Sequence, residues 1–398
     1  MKILYLNNLY HPYIKGGAEI SLQLLVEGMK SRGHEVLVVS YHPGEEVVLD
    51  EVNKIPVYRV PLKNLYWPYA DQKPSTLLRL GWHFQDRDNP KMATTLTSIL
   101  KREKPDIVSC HNLAGWSAAV WKSISGFGIP VVQVLHDLYL MCANSNMYKD
   151  GHPCTSQCFS CKVLRLGHPT KSAQVDAVVG ISKSILDTFI EAGYFSNAHS
   201  SIIHNTRNIP NLGSPKHRLH GEKLKIGYLG TLSKIKGIEW LIKEFGRLEI
   251  DAELYLAGKG QERYEKELRQ MSQDPRIMWM GQVNSAQFLE SIDVLVVPSI
   301  WAEPLGMVAI EALAHHVPVI ANKSGGLRET VQERVNGLFC HSDIPESLGD
   351  AILEIYKNPA LYNKLSAAAR DSVAEILDAE RLLDAYEAVM EKVKKKTD

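Results

Sequence analysis

Twice along this chain a short apolar run leads through a glycine-bearing loop into a stretch with helical spacing. Ile3–Leu6 is followed by a loop over 7–15 and by Gly16-Gly17, which open a helix to about Arg32, closed by Gly33. The pattern starts again at Leu224–Leu229, where Gly230-Thr231-Leu232 turns toward a helix beginning at Gly237. Val36–Ser40, Val57–Val60, Asp106–Cys110, Pro130–Leu135, Asp176–Gly180 and Ser201–His204 extend the first series. Leu254–Ala257, Arg276–Met280, Val294–Val297 and Val317–Ile320 extend the second. Each run is too short for a helix and is bounded by turn residues, which predicts buried parallel strands covered by helices. At 398 residues the chain exceeds one ordinary core. The expected class is α/β with two Rossmann-like domains: residues 1–205, a linker over 206–223 carrying two prolines and two glycines, and residues 224–375, followed by a helical tail over 376–398.

Basic and acidic residues balance at 45 each, so no overall field invites nucleic acid. No window of about eighteen apolar residues occurs, and Lys2 leads straight into a strand, so a soluble, cytoplasmic protein is expected. Peripheral contact with the inner face of a membrane leaves little trace in composition and stays open.

The stretch Ser299–Ala314 follows Val294–Val297, which Pro298 stops, so a loop opens at the carboxyl end of a strand, where open α/β sheets bind ligands. Gly306 lets the backbone turn into a helix whose buried side reads as Val308, Ile310, Ala312 and Leu313. Glu303 and Glu311 bracket the turn, and the amides of Leu305, Gly306 and Met307 lie between them at the positive end of the helix dipole. Carboxylates suit the hydroxyls of a ribose or hexose, and bare amides suit phosphate. A sugar–phosphate compound fits both.

Glu303 and Glu311, with Gly306 between them and Gly325-Gly326-Leu327 after them, resemble the Glu-x7-Glu motif of retaining GT-B glycosyltransferases of family four. The resemblance implies a GT-B fold, two Rossmann-like domains facing a cleft, with the terminal helix crossing back to the first. It implies that Glu311 holds the donor ribose and Glu303 a hydroxyl of the donor sugar. Lys236 matches the lysine that holds the donor phosphates, Gly16 and Gly17 the paired glycines near the diphosphate, and Val283, after Gly281-Gln282, the main-chain site of the base. Thr231 stands where an arginine is usual, and Lys234 is the candidate to replace that charge. Asn205 resembles the asparagine at which the family's linker begins, and His136 the family's active-site histidine, able to exchange protons near neutral pH.

His111 and Asp137 also stand just past strand ends and are acceptor-side candidates. The stretch 61–90 reads as loop-rich, with Trp67, Tyr69, Trp82 and Phe84 available either to stack on an acceptor or to pack within the domain. Asp86-Arg87-Asp88 resembles a DxD metal motif but follows no apolar strand, so a solvated turn is expected. An insert over 138–165 carries Cys142, Cys154, Cys158 and Cys161, with His152 as a rival ligand; a structural zinc, a labile disulfide and separate thiols all remain open. The lysines of the KVKKK tail read as a solvated helix end, favoured by its dipole.

The expected function is a hexosyltransferase moving a sugar with retention from a nucleotide sugar, UDP favoured over GDP, to a glycan or lipid-linked acceptor, with no metal required for catalysis. The alternatives are a nucleotide-sugar epimerase of the same fold, and a non-catalytic glycan-binding or scaffolding protein.

Overall fold

The computed structural model describes residues 1–70, 74–211 and 213–395, so Lys396 of the basic tail lies outside the described residues. Two compact units emerge. The first comprises Met1–Met147, Cys154–Asn205 and the terminal helix Ala379–Lys394, and the second comprises Tyr148–Pro153 and Thr206–Asp378.

Among the described residues ten strands precede residue 205: β1 (Lys2–Leu6), β2 (Glu35–His42), β3 (Val48–Val52), β4 (Ile55–Pro61), β5 (Ile107–Cys110), β6 (Val131–Leu135), β7 (Tyr148–Lys149), β8 (His152–Pro153), β9 (Ala177–Gly180) and β10 (His199–Ile202). Apart from the β7–β8 hairpin they form one sheet, ordered β10-β9-β6-β5-β1-β2-β4-β3. Its pairings are parallel except that β3 returns antiparallel on β4. Strand β3 was not expected, because its VLDEV sequence is an exposed edge without a continuous apolar run. Chain order reverses between β1 and β5, which places the loops after them at a topological switch point.

The second sheet is parallel throughout: β11 (Leu224–Leu229), β12 (Ala252–Ala257), β13 (Ile277–Gly281), β14 (Val294–Val297), β15 (Val319–Asn322) and β16 (Gly337–Cys340), in the order β13-β12-β11-β14-β15-β16. Its switch point lies between β11 and β14. Residues 206–223 are fastened to this unit: Lys216 Nζ donates to Glu290 O at 2.7 Å, and Arg370 donates to Ile209 O at 2.8 Å.

The terminal helix packs on helix Gly17–Ser31, where Gly28 admits Leu383; a Cβ there would lie 2.6 Å from Leu383 Cδ2. Arg32 then pairs with Asp384 at 2.7 Å. Among the described residues no helix is long and apolar enough to cross a membrane.

The stretch 61–90 departs from the expected loop. Thr76–Asp86 is a helix capped by Ser75 Oγ, with Trp82 and Asp86 buried. Tyr69 and Trp67 pack with Tyr41, whereas Phe84 is exposed. Asp86 is no solvated turn: it accepts from Tyr139 Oη at 2.6 Å and from Gly115 N at 2.7 Å, with Arg165 at 3.9 Å. The helical period turns it inward, and these donors oppose a burial that still raises its carboxyl to about 6.

Candidate functional site

In the second unit the loops after β11, β12 and β14 meet by main-chain approach. Gly237 is left-handed, and a Cβ there would fall 1.9 Å from Pro298 O; Ile300 N donates to Ile235 O at 2.9 Å beside it. Gly258 lies so close that its Cβ would sit 1.8 Å from Gly230 O. Glycine is therefore a steric requirement at both positions.

The loop after β14 holds Glu303 inside this frame. Lys236 Nζ reaches Glu303 Oε1 at 2.5 Å and lies 5.4 Å from the centre of the Trp301 ring. Ser299 Oγ donates to the same carboxyl oxygen at 2.6 Å, while Asn322 fixes Ser299 O at 2.8 Å. Gly325-Gly326 closes on the loop from behind, Gly326 N donating to Glu303 O at 2.7 Å. Gly306 is left-handed at φ 81°, and helix Met307–Ala314 starts after it, its first amides lacking carbonyl partners within the helix. That helix buries Ala309, Ile310, Ala312, Leu313 and Ala314; Val308 is only partly buried, because Ala309 takes its expected place facing the sheet.

Glu311 meets a partner that no local motif announces. Arg207 Nε lies 3.3 Å from Glu311 Oε1, and the arginine also donates to Thr206 O at 2.9 Å. Burial raises the Glu311 carboxyl above its ordinary range, and Arg207 opposes that shift. The pair spans 104 residues of sequence, so no spacing rule reaches it. Thr231 and Lys234 line a cavity of about 600 Å³ together with Lys259, Gln261, Arg263 and Tyr264. Val283 is partly buried against the apolar cluster on the helix 307–314 side of the sheet.

The first unit gathers a different set around its own switch point. His111 Nδ1 and His136 Nε2 are 2.9 Å apart, their rings stacked at 5.2 Å, and Ser109 Oγ is 3.1 Å from His111 Nε2. Burial, then His136, holds His111 well below the usual histidine range, so His111 is a neutral support behind His136. Asp137 accepts from Tyr139 N at 2.8 Å, and burial raises its carboxyl to about 6, with Glu19 adding to the rise. Glu19 is a second residue missed in the sequence. It is buried and accepts from Gly16 N at 2.8 Å, which is half of a capping box, since Gly16 has no side chain to return the bond. At Gly16 the backbone is extended and an added Cβ would meet only Glu19 Oε2, at 3.8 Å, so sterics do not demand glycine there.

None of the four cysteines Cys142, Cys154, Cys158 and Cys161 is in a disulfide, and among the described residues no three His, Cys, Asp or Glu side chains are arranged to hold a metal ion. Burial, and then the neighbouring Cys142 and Cys158 thiols, push Cys161 up to about 12 against one backbone hydrogen bond. His152 belongs with the second unit.

Residues 15–209 match the model of glycosyltransferase family 4, and residues 213–372 match that of glycosyl transferases group 1. An uncharacterized 42.6 kDa protein in the cps region of Klebsiella pneumoniae is 32% identical over 83% of this chain and 87% of its own length. The N-acetyl-alpha-D-glucosaminyl L-malate synthase of Bacillus anthracis is 24% identical over 75% of this chain and 77% of that protein. Among solved structures, sucrose-phosphate synthase from Thermosynechococcus elongatus superposes with a TM-score of 0.79 at 19% identity, covering 99% of both chains. Anabaena HepE, in complex with UDP and glucose, gives 0.71 at 18% identity over 98% of this chain and 100% of its own. The chain belongs to glycosyltransferase family 4 of the group 1 glycosyl transferases, and is a hexosyltransferase with the GT-B fold.

Proposed function

We propose that this enzyme transfers a hexose, with retention, from a nucleotide-diphosphate sugar, UDP before GDP, to a glycan or lipid-linked acceptor in polysaccharide or glycoconjugate synthesis. The observation that carries the reading is the Lys236–Glu303 contact at the second switch point, beside the open amides of helix Met307–Ala314. A diphosphate entering there takes the ammonium of Lys236 and frees Glu303 Oε1 to accept from a sugar hydroxyl. Glu311 accepts from the ribose hydroxyls. When the anomeric C–O bond breaks, its electron pair stays on the diphosphate, where Lys236 and the helix amides stabilise the charge without a divalent ion. The acceptor oxygen bonds to the anomeric carbon and its proton passes to the departing phosphate oxygen. His136 holds the reacting hydroxyls, and Lys234 takes part of the charge that an arginine at 231 would supply. UDP complexes of HepE favour the uridine donor, and the place of work is the cytoplasmic face of a membrane.

The test is donor turnover across a panel of UDP- and GDP-sugars, with and without a chelator. Slow release of free sugar from one donor, unchanged by chelation, is expected. Binding without turnover on any acceptor would favour the scaffold, and metal-restorable loss would overturn the charge-stabilisation scheme.

A further inference from the structure

Large apolar side chains that remain exposed are ordinarily scattered. In the first unit, beside scattered ones such as Ile20, Phe127 and Ile190, a group of them collects on two neighbouring helices. On Thr76–Asp86, Leu77, Leu80 and Phe84 occupy one face at i, i+3 and i+7, with Leu77 81% and Phe84 58% exposed. On Phe159–Leu164 and just after it, Phe159 is 83% exposed, Leu166 68%, and Val163 lies one turn after Phe159. The two helices touch. The Arg87 guanidinium lies 4.6 Å from the Phe84 ring centre and reaches Val163 O at 3.5 Å. Leu65, also exposed, packs beside Gly81, where a Cβ would fall 2.9 Å from its Cδ1.

The charge around this face has one sign. No Asp or Glu occurs from Pro74 to Gln85 or from Gly151 to Val175. Asp86 is buried, and Asp88 is paired with Lys171 at 2.9 Å. Arg79, Arg87 and Lys162 remain around the apolar side chains, Arg79 turned toward Asn144 at 2.5 Å. An apolar face flanked by Arg79, Arg87 and Lys162, its one exposed acid Asp88 paired with Lys171, has the chemistry of an interfacial surface: the rings and leucines enter the acyl boundary while the cations meet anionic headgroups.

We propose that this two-helix face docks the enzyme on the surface of a bilayer containing anionic phospholipid. The same helices hold the acceptor-side loop. Tyr139, two residues after Asp137, donates to Asp86 at the end of the first helix, and Arg165, at the end of the second, donates to Tyr139 O at 2.8 Å. A bound lipid surface therefore lies beside the loop that carries His136 and Asp137. The docking stands on the exposed face itself, and its purpose, delivery of a lipid-linked acceptor, rests on the function proposed above.

The test is vesicle flotation of the full-length protein with phosphatidylcholine alone and with phosphatidylcholine containing phosphatidylglycerol, alongside solution mass and acceptor-free donor hydrolysis. Wild type should float with the anionic vesicles and be released by high salt. L77S/F84S/F159S should weaken binding at least about tenfold, and R79Q/K162Q roughly thirtyfold at low salt, with thermal midpoint and donor hydrolysis unchanged. No flotation of wild type, equal flotation of the variants, or a wild-type dimer that the apolar variant dissolves without lipid binding would each overturn the docking. Donor hydrolysis that persists in those cases leaves the transferase reading intact. Flotation with no donor turnover would separate the two the other way.

Discussion

The two switch points solve different problems with different materials. In the second unit, main chain packs against main chain at Gly237 and Gly258, and one carboxylate sits on one ammonium. In the first, the loops after β1, β5 and β6 bring together two stacked imidazoles, Glu19 and Asp137, all carried by side chains. A rigid frame with a replaceable ion pair suits a charged ligand that is the same in every turnover. A cluster of neutral and proton-sensitive groups suits a hydroxylated ligand whose hydrogen bonds must be sorted.

The sharpest way to break this contrast is glycine replacement. Gly258→Ala or Gly237→Ala places a Cβ within 2 Å of a carbonyl oxygen and should cost more than about 4 kcal/mol, read as loss of the folded second unit in thermal unfolding. Gly16→Ala should change stability by less than about 1 kcal/mol, since its Cβ meets only an ordinary contact. Comparable losses at all three would erase the distinction. Next in size, Lys236→Met should lower kcat by about 10²–10³ while the fold persists, because it removes a charge needed as the diphosphate departs. Arg207→Ala should raise the donor KM about tenfold with kcat nearly kept, because it frees Glu311 from its positioning partner without touching the leaving group.

The smallest effect belongs to Asp137. Its folded carboxyl titrates near 6 against about 3.9 unfolded, so the native state takes up a proton as pH falls between those values. Stability from this group is therefore lowest above pH 6 and recovers toward pH 4. Asp137→Asn should flatten that slope by on the order of 1 kcal/mol after solvent screening, seen as a smaller difference in unfolding midpoint between neutral and acid buffer.

Strands with continuous apolar runs, and the helix opened by Gly16-Gly17 and closed by Gly33, were legible because local chemistry decides them. The turn at Gly306 was legible for the same reason. What stayed hidden was decided at long range. Edge strand β3 lacks an apolar run, and helix Thr76–Asp86 turns Leu77, Leu80 and Phe84 to solvent and Asp86 inward, the reverse of the usual pattern. Asp86 looked like a surface acid because its donors, Tyr139 and Arg165, lie more than 50 residues away. Arg207 was hidden for the same reason.

The central claim is that the loop bracketed by Glu303 and Glu311 grips the nucleotide diphosphate. Calorimetric titration of UDP into wild type, Lys236→Met, Glu311→Gln and His136→Ala tests it most directly. Affinity should fall at least about tenfold in the first two variants and stay near wild type in the third, whose histidine belongs to the other unit. Equal affinity in all four proteins, or a loss confined to His136→Ala, would contradict it.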